Sequence, residues 1–367
     1  MSAGATGPPV RIDVVINNYN YGRFLGAAIE SALTQTYPHV RVVVVDDGSS
    51  DDSAQVIGSF GDHVAAVFKE NGGQASALNA GFAAATGDIA ILLDADDLLD
   101  REIAAHVAAA CTAHPDAAKI QWRMEMIDAG GRPTGIVDPA LHIPLPNGDM
   151  RRAELCFPFD IAWAATTGNA FPLEVVRRIL PIPERRYRIG ADWYLQHLTP
   201  LLGPVFTLDL IGAQRRVHGD NAFEQAADAE LDFRWVRERI SFAANVRVDL
   251  EALARELALL TEAGPLIAVS DAAFRLISMR LEPAKHPLAP ERITGLVAMG
   301  IRASLRRFDI NPLMRGALCA WFAAMSVAPR PLARRLARDF VFPDRRPGLN
   351  RLLGRLHRRG DRSAGTT

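Results

Sequence analysis

Two short runs, VRIDVVI at 10–16 and VRVVVVD at 40–46, constrain this chain more than any other feature. Each is rich in Val and Ile and bounded by polar turns, which is how a strand reads when neighbours cover both of its faces. Between them Phe24, Leu25, Ala28, Ile29, Ala32 and Leu33 recur at helical spacing, and Pro38 closes the element. Strand, helix and strand make a βαβ unit. The pattern repeats with a helix near 53–60, a strand near 64–68, a helix near 74–85, a strand at 89–93, a helix near 101–113 and a strand near 119–127. Such alternation predicts an α/β chain with a mostly parallel sheet flanked by helices, whose ligands bind outside the carboxyl ends of the strands.

Those ends are polar. The first strand runs into Asn17-Asn18-Tyr19-Asn20, the second into Asp46-Asp47-Gly48-Ser49-Ser50-Asp51-Asp52, and the fourth into Asp94-Ala95-Asp96-Asp97. Carboxylates crowded at the mouth of a core strand repel one another and lose solvation, so a neutralising partner is expected. Mg²⁺ or Mn²⁺, hard cations that share coordination with substrate phosphates, are the natural candidates. A D-x-D pair alone is a weak signal, since Asp97 or Asp100 also suits the start of the next helix. No G-x-G-x-x-G follows the first strand and no G-x-x-x-x-G-K-[ST] occurs, which weakens dinucleotide and P-loop readings.

Composition narrows the classes further. The net charge of −1 hides a polarity: residues 301–367 hold 15 arginines against four aspartates, leaving about −12 on the rest. Three scattered cysteines, with no C-x-x-C, indicate neither a disulfide framework nor a structural zinc site. The start, MSAGATGPPV, lacks the basic and apolar parts of a signal peptide. No apolar run reaches the roughly 18–20 residues that span a bilayer. A cytoplasmic location is expected.

Taken together, VVINNYNYGRFLGAAIESALTQTYPHVRVVVVDDGSSDDS and NGGQASALNAGFAAATGDIAILLDADD resemble the family 2 glycosyltransferases of GT-A fold across nearly all of residues 10–128. The resemblance implies a nucleotide-diphosphate sugar donor, with UDP favoured and dTDP open. It assigns Asp47 to the uracil N3–H, Tyr19 to stacking on the base with Asn17 beside it, and Asp94 and Asp96 to ribose and metal, Asp97 being an alternative ligand. The segment 71–79 resembles the loop and helix before the D-x-D strand. Relatives carry Arg near 77 or 78 for the diphosphate, where this chain has Ala77 and Leu78. Asn79 is either a donor contact or a structural cap. Residues 166–205 resemble the acceptor half, in which Asp192 sits where the general base is found. Arg215 to Asn221 resembles the R-x-H-x-x-N segment over the diphosphate, with His218 as a metal ligand or phosphate donor and Arg216 neutralising the leaving group. Trp163, Thr167, Gly168 and Asn169 are candidates to line the sugar or acceptor pocket.

The expected organisation is a GT-A catalytic domain at 1–222, divided into a nucleotide-sugar half (1–128) and an acceptor half (129–222), followed by a helical region at 223–367 with a basic tail. The expected activity is metal-dependent, inverting, hexosyltransferase-type transfer to a hydroxyl of a glycan or lipid-linked acceptor, in surface polysaccharide or glycoconjugate synthesis. A non-catalytic sugar-nucleotide-binding scaffold is the alternative from another class. In the tail, Leu332, Leu336 and Phe340 align opposite Arg334, Arg335 and Arg338, and Leu349, Leu352, Leu353 and Leu356 repeat the arrangement. Basic amphipathic helices suit either peripheral contact with the inner face of a membrane through 329–362 or packing on the protein itself. Nucleic acid is not expected, since no reader motif or interleaved aromatics accompany the charge.

Overall fold

The structure, a computed structural model, describes residues 8–219, 231–260 and 266–342. The chain separates into two compact units: 1–154, 161–222 and 248–258 form the first, and 155–160, 223–247 and 259–367 the second.

The first unit holds β1 (Ile12–Asn18), α1 (Gly22–Leu33), β2 (Val40–Asp46), α2 (Ser53–Ser59), β3 (Val64–Phe68), α3 (Gln74–Ala84), β4 (Ile89–Asp94), β5 (Leu98–Leu99), α4 (Ile103–Ala113), β6 (Lys119–Ile127) and β7 (Pro133–Asp138). After α5 (Arg151–Cys156), which crosses the boundary, come β8 (Asn169–Pro172), α6 (Leu173–Val176), α7 (Ala191–Leu202) and β9 (Val205–Arg216). Among the described residues nine strands share one sheet, in the order β3-β2-β1-β4-β8-β6-β9-β5, with β7 off this path and paired with β6. The four strands from β3 to β4 are parallel, as the Val- and Ile-rich runs predict. Beyond them the sheet is mixed: β8 runs antiparallel between β4 and β6, while β6 and β9 are parallel.

The link from β4 to β5 bends this sheet. Four spacings separate the two strands, about 19 Å if the sheet were flat, yet the chain from Asp94 to Leu98 reaches about 14 Å at most. The sheet therefore curls, and the Asp94–Asp97 turn spans the opening of the curl. At the opposite end of β1 the buried Asp13 is satisfied by Thr86 N (2.7 Å), Gly87 N (2.5 Å) and Arg41 (3.3 Å). A carboxylate placed for structure is surrounded by donors.

The second unit is helical, with the start of α8 (Phe233–Glu256), α9 (Val269–Leu281), α10 (Ile293–Arg306), α11 (Pro312–Val327) and α12 (Arg330–Val341) around Leu276, Ala303 and Phe322. In α12, Ala333 and Ala337 are buried, Leu336 and Phe340 pack on this core, and Arg334, Arg335 and Arg338 are exposed. Its apolar side is thus engaged within its own unit, although Leu332, expected on that side, is 47% exposed. The second amphipathic stretch lies outside the described residues. Among the described residues no helix is long and apolar enough to cross a membrane.

Candidate active site

Parallel register sets the polar strand ends side by side: Asn17 of β1 lies opposite Asp94 of β4, and Asn18 opposite Asp46 of β2. Asn17 Nδ2 donates to Asp94 Oδ1 at 3.1 Å and Asn18 Nδ2 to Asp46 Oδ1 at 2.8 Å. Asp46 also accepts from the backbone and hydroxyl of Ser49, which folds the Asp-Asp-Gly-Ser turn back on the strand. Gly48 in this turn has φ +74°, and a Cβ there would stand 2.7 Å from Asn71 N, so both conformation and space require glycine.

Asp47 is 2% exposed and accepts four hydrogen bonds. Lys69 Nζ (2.6 Å) and Gly72 N (3.0 Å) reach one oxygen, Asn71 Nδ2 (3.1 Å) and Gly73 N (2.6 Å) the other. Four donors fill a carboxylate's acceptor sites. A base N–H reaching Asp47 must displace one, and the partly exposed Lys69 side chain is the most movable. Tyr19, by contrast, is 47% exposed.

The three aspartates after β4 have different surroundings. Asp97 is buried, accepting from Thr167 Oγ1 at 2.6 Å and from Arg216 N at 2.8 Å, while Thr167 Oγ1 also accepts from Asp94 N. It ties the end of β4 to the turn before β8 and to the end of β9, and burial beside Asp96 and Asp94 raises its pKa well above the usual range. Asp96 Oδ2 lies 3.0 Å from His218 Nε2, whose ring packs against Tyr21 and Phe24. Asp94 is pushed up to about 7, chiefly by burial, with the charges of Asp96 and Asp192 adding to it and hydrogen bonds from Asn17 and Thr166 opposing. Arg216 is buried: its Nε donates to Asp96 O (2.9 Å), its guanidinium reaches the carbonyls of Asp128 and Ala129, and it lies over the Phe24 ring. Among the described residues no group of three or more His, Cys, Asp or Glu side chains stands at metal-binding spacing. Asp96 with His218, and Asp94 beside Asn17, are pairs.

Asp192 occupies the first turn of α7. The start of that helix is held from α3: Gln74 Oε1 accepts from Gly190 N and Ala191 N at 2.9 and 3.0 Å. Gly73 permits this approach, at φ +89° and with Arg188 O 2.4 Å from where a Cβ would be. Gln196, one turn on, donates to Asp192 Oδ2 (3.1 Å) and to Ala164 O (2.8 Å), fixing the carboxylate's direction.

A model of the glycosyl transferase family 2 matches residues 13–156. An uncharacterized glycosyltransferase of Nostoc sp. is 35% identical over 230 residues, 60% of this chain and 69% of that protein. The chain belongs to glycosyl transferase family 2. Glycosyltransferase GlyG of Streptococcus pneumoniae is 37% identical over 92 residues, 24% of this chain and 31% of its own. In fold, the chain resembles S. aureus TarS (residues 1–349), solved with UDP-GlcNAc, at TM-score 0.55 and 16% identity over 90% of this chain and 91% of that one. The sheet and its flanking helices are those of a GT-A fold.

Within this glycosyltransferase, Asn17, Asp94, Asp96, His218 and Arg216 meet at one edge, with Tyr19 and Asp47 at the adjoining strand ends. Asn79 does not join them. Its amide pairs with Ile182, donating to O at 2.9 Å and accepting from N at 2.8 Å, the structural alternative left open by the sequence. Asn79→Ala is expected to cost about 1–3 kcal/mol in a denaturant titration and to leave UDP affinity unchanged. Sequence reading assigns Gln74, Gln196 and Lys69 no role, because nothing in a local pattern tells which distant group an amide or ammonium will reach. Asn221, the last residue of the R-x-H-x-x-N match, lies outside the described residues.

Proposed function

We propose that this glycosyltransferase moves a sugar from a nucleotide-diphosphate donor, a UDP-sugar by preference, to a hydroxyl of a glycan or lipid-linked acceptor, with inversion and with Mg²⁺ or Mn²⁺, in surface polysaccharide or glycoconjugate synthesis. The observation that carries this reading is the set of carboxylates at and just after the end of β4, Asp94 and Asp96, with a separate carboxylate, Asp192, aimed by Gln196 from the first turn of α7. One group of acids is suited to a cation and a diphosphate, and the other to a proton.

The residues fit a divalent cation, since two carboxylates suffice when phosphate oxygens complete the coordination, and Asp94, pushed up chiefly by burial and then by the charge of Asp96, is a carboxylate whose anionic form a cation would favour. Asp94, Asp96 and His218 would hold the ion. A bound cation supplies positive charge against the departing diphosphate. Tyr19 stacks on the base and Asp47 accepts its N–H once Lys69 swings away. Asp192 takes the acceptor's hydroxyl proton as that oxygen bonds to the anomeric carbon and the bond to the diphosphate breaks.

Calorimetric titration of UDP, dTDP and GDP, with and without Mn²⁺, tests the donor assignment. TarS, of like fold, was solved with UDP-GlcNAc, so UDP is the first titrant. UDP is expected to bind most tightly, and Tyr19→Ala to weaken it by about 1–3 kcal/mol, the usual worth of a base stacked on an aromatic ring. Failure of all three nucleotides to bind would overturn the reading.

A further inference from the structure

Only three of the 41 basic residues are lysines, and one of them, Lys119 at the start of β6, is wholly buried. Among the described residues its Nζ has no hydrogen-bond partner; it lies 4.3 Å from the centroid of the Trp163 ring, whose own buried Nε1 likewise has none among them. An ammonium ion in such a place is costly unless opposite charge is at hand. Glu154 of α5 and Asp192 of α7 are the acids whose charges reach it, and His197 of α7 shares Glu154 Oε1 at 2.5 Å. The other Glu154 oxygen is buried and has no partner among the described residues.

A chain of contacts joins this group to Asp192. Trp163 covers Lys119; the next carbonyl, Ala164 O, accepts from Gln196; and Gln196 donates to Asp192. We propose that Lys119 is a positioning residue for the base, a buried cation beneath Trp163 whose charge favours the carboxylate form of Asp192 while Gln196 aims it. The proposal rests on the reading of Asp192 as the base. Packing alone does not explain a lysine here, because an apolar side chain of similar length would fill the space without the cost of burying an amine. Arginine, the usual cation of this chain, would bring five donors to a place where, among the described residues, the lysine's amine already finds no hydrogen-bond partner. Burial brings the Lys119 amine down to about 7 against the pull of Glu154 and Asp192. What Asp192 does for the ammonium, the ammonium does for Asp192, so the cation is present on the acid side of neutrality, where a carboxylate base is in danger of protonation.

The small number of lysines makes a direct test practical. Protein carrying ¹³C at the lysine Cε positions gives three side-chain resonances, and Lys69→Arg and Lys285→Arg identify that of Lys119 by elimination. Titrated by NMR, Lys119 is expected to lose its proton well below the usual lysine range, and lower still in Asp192→Asn, because removal of an anion disfavours the ammonium. A Lys119 midpoint that does not move in Asp192→Asn overturns the proposal, and this readout needs no activity and no Lys119 variant that folds well. In Lys119→Met the acid limb of kcat/KM is expected to shift upward by about half a pH unit or more with UDP affinity unchanged. A limb that stays in place overturns the proposal as well. Normal transfer by Asp192→Asn would instead overturn the base reading, leaving the charge coupling to be judged by NMR.

Discussion

Asp192→Asn is expected to lower kcat for sugar transfer by about 10²- to 10⁴-fold, the usual worth of a positioned general base, while UDP binding in the presence of Mn²⁺ stays as in the parent protein. Asparagine keeps the size of the side chain and can still meet the Gln196 amide through its oxygen, so loss of rate without loss of fold isolates the proton-accepting oxygen. The position suits the task for reasons beyond sequence spacing. Gln74 caps the helix that carries Asp192, Gly190 turns the chain into it in the left-handed region at φ +76°, and Gln196 restrains the carboxylate from the next turn. The first turn of a helix also favours negative charge, which suits a carboxylate at this position. Donor-bound transfer assays across pH should show an acid limb in the parent protein, and that limb should vanish with the variant's activity. Rates equal to the parent's would remove Asp192 from the mechanism.

The parallel half of the sheet was legible because each of its strands is a run of Val, Ile, Leu or Ala between polar turns, and buried strands require such runs. Predicted and observed elements from β1 to α4 differ by a residue or two at their ends. Beyond β6 the pattern fades for a physical reason. β8 has four residues and β5 two, too few for any periodicity, and both are strands only because β4, β6 and β9 offer them backbone partners. The strand-end aspartates were visible as a cluster, but their division of labour was not. Asp96 and Asp97 are adjacent in the chain, and only the arrival of Thr167 and Arg216 N separates the buried brace from the carboxylate that meets His218. Asn79 and Lys119 show the same limit, since their surroundings are set by segments about 40 to 100 residues away.

The division among these aspartates leads to the other large effect, on cation binding. Asp96→Asn is expected to abolish the Mn²⁺-dependent tightening of UDP binding and, in the absence of cation, to raise stability near pH 7 by on the order of 1 kcal/mol. Asp94 carries the sign. Its folded-state pKa is raised to about 7, against about 3.9 in an unfolded chain, so between those values the folded state binds more protons and its stability falls as pH rises. Removing the neighbouring charge relieves that penalty, while the asparagine oxygen can still accept from His218. Bound Mn²⁺ relieves it in another way, by displacing the proton, so cation affinity should grow between pH 5 and 7 and the stability curve should flatten when Mn²⁺ and UDP are present. Denaturant titrations at pH 5 and 7, with and without both ligands, read all of this in two proteins. If Asp96→Asn is less stable than the parent at pH 7 and still binds UDP more tightly with Mn²⁺, the carboxylates are there for packing and the cation site lies elsewhere. A variant that gains stability as it loses the cation would show that the fold tolerates this repulsion for the sake of the ligand.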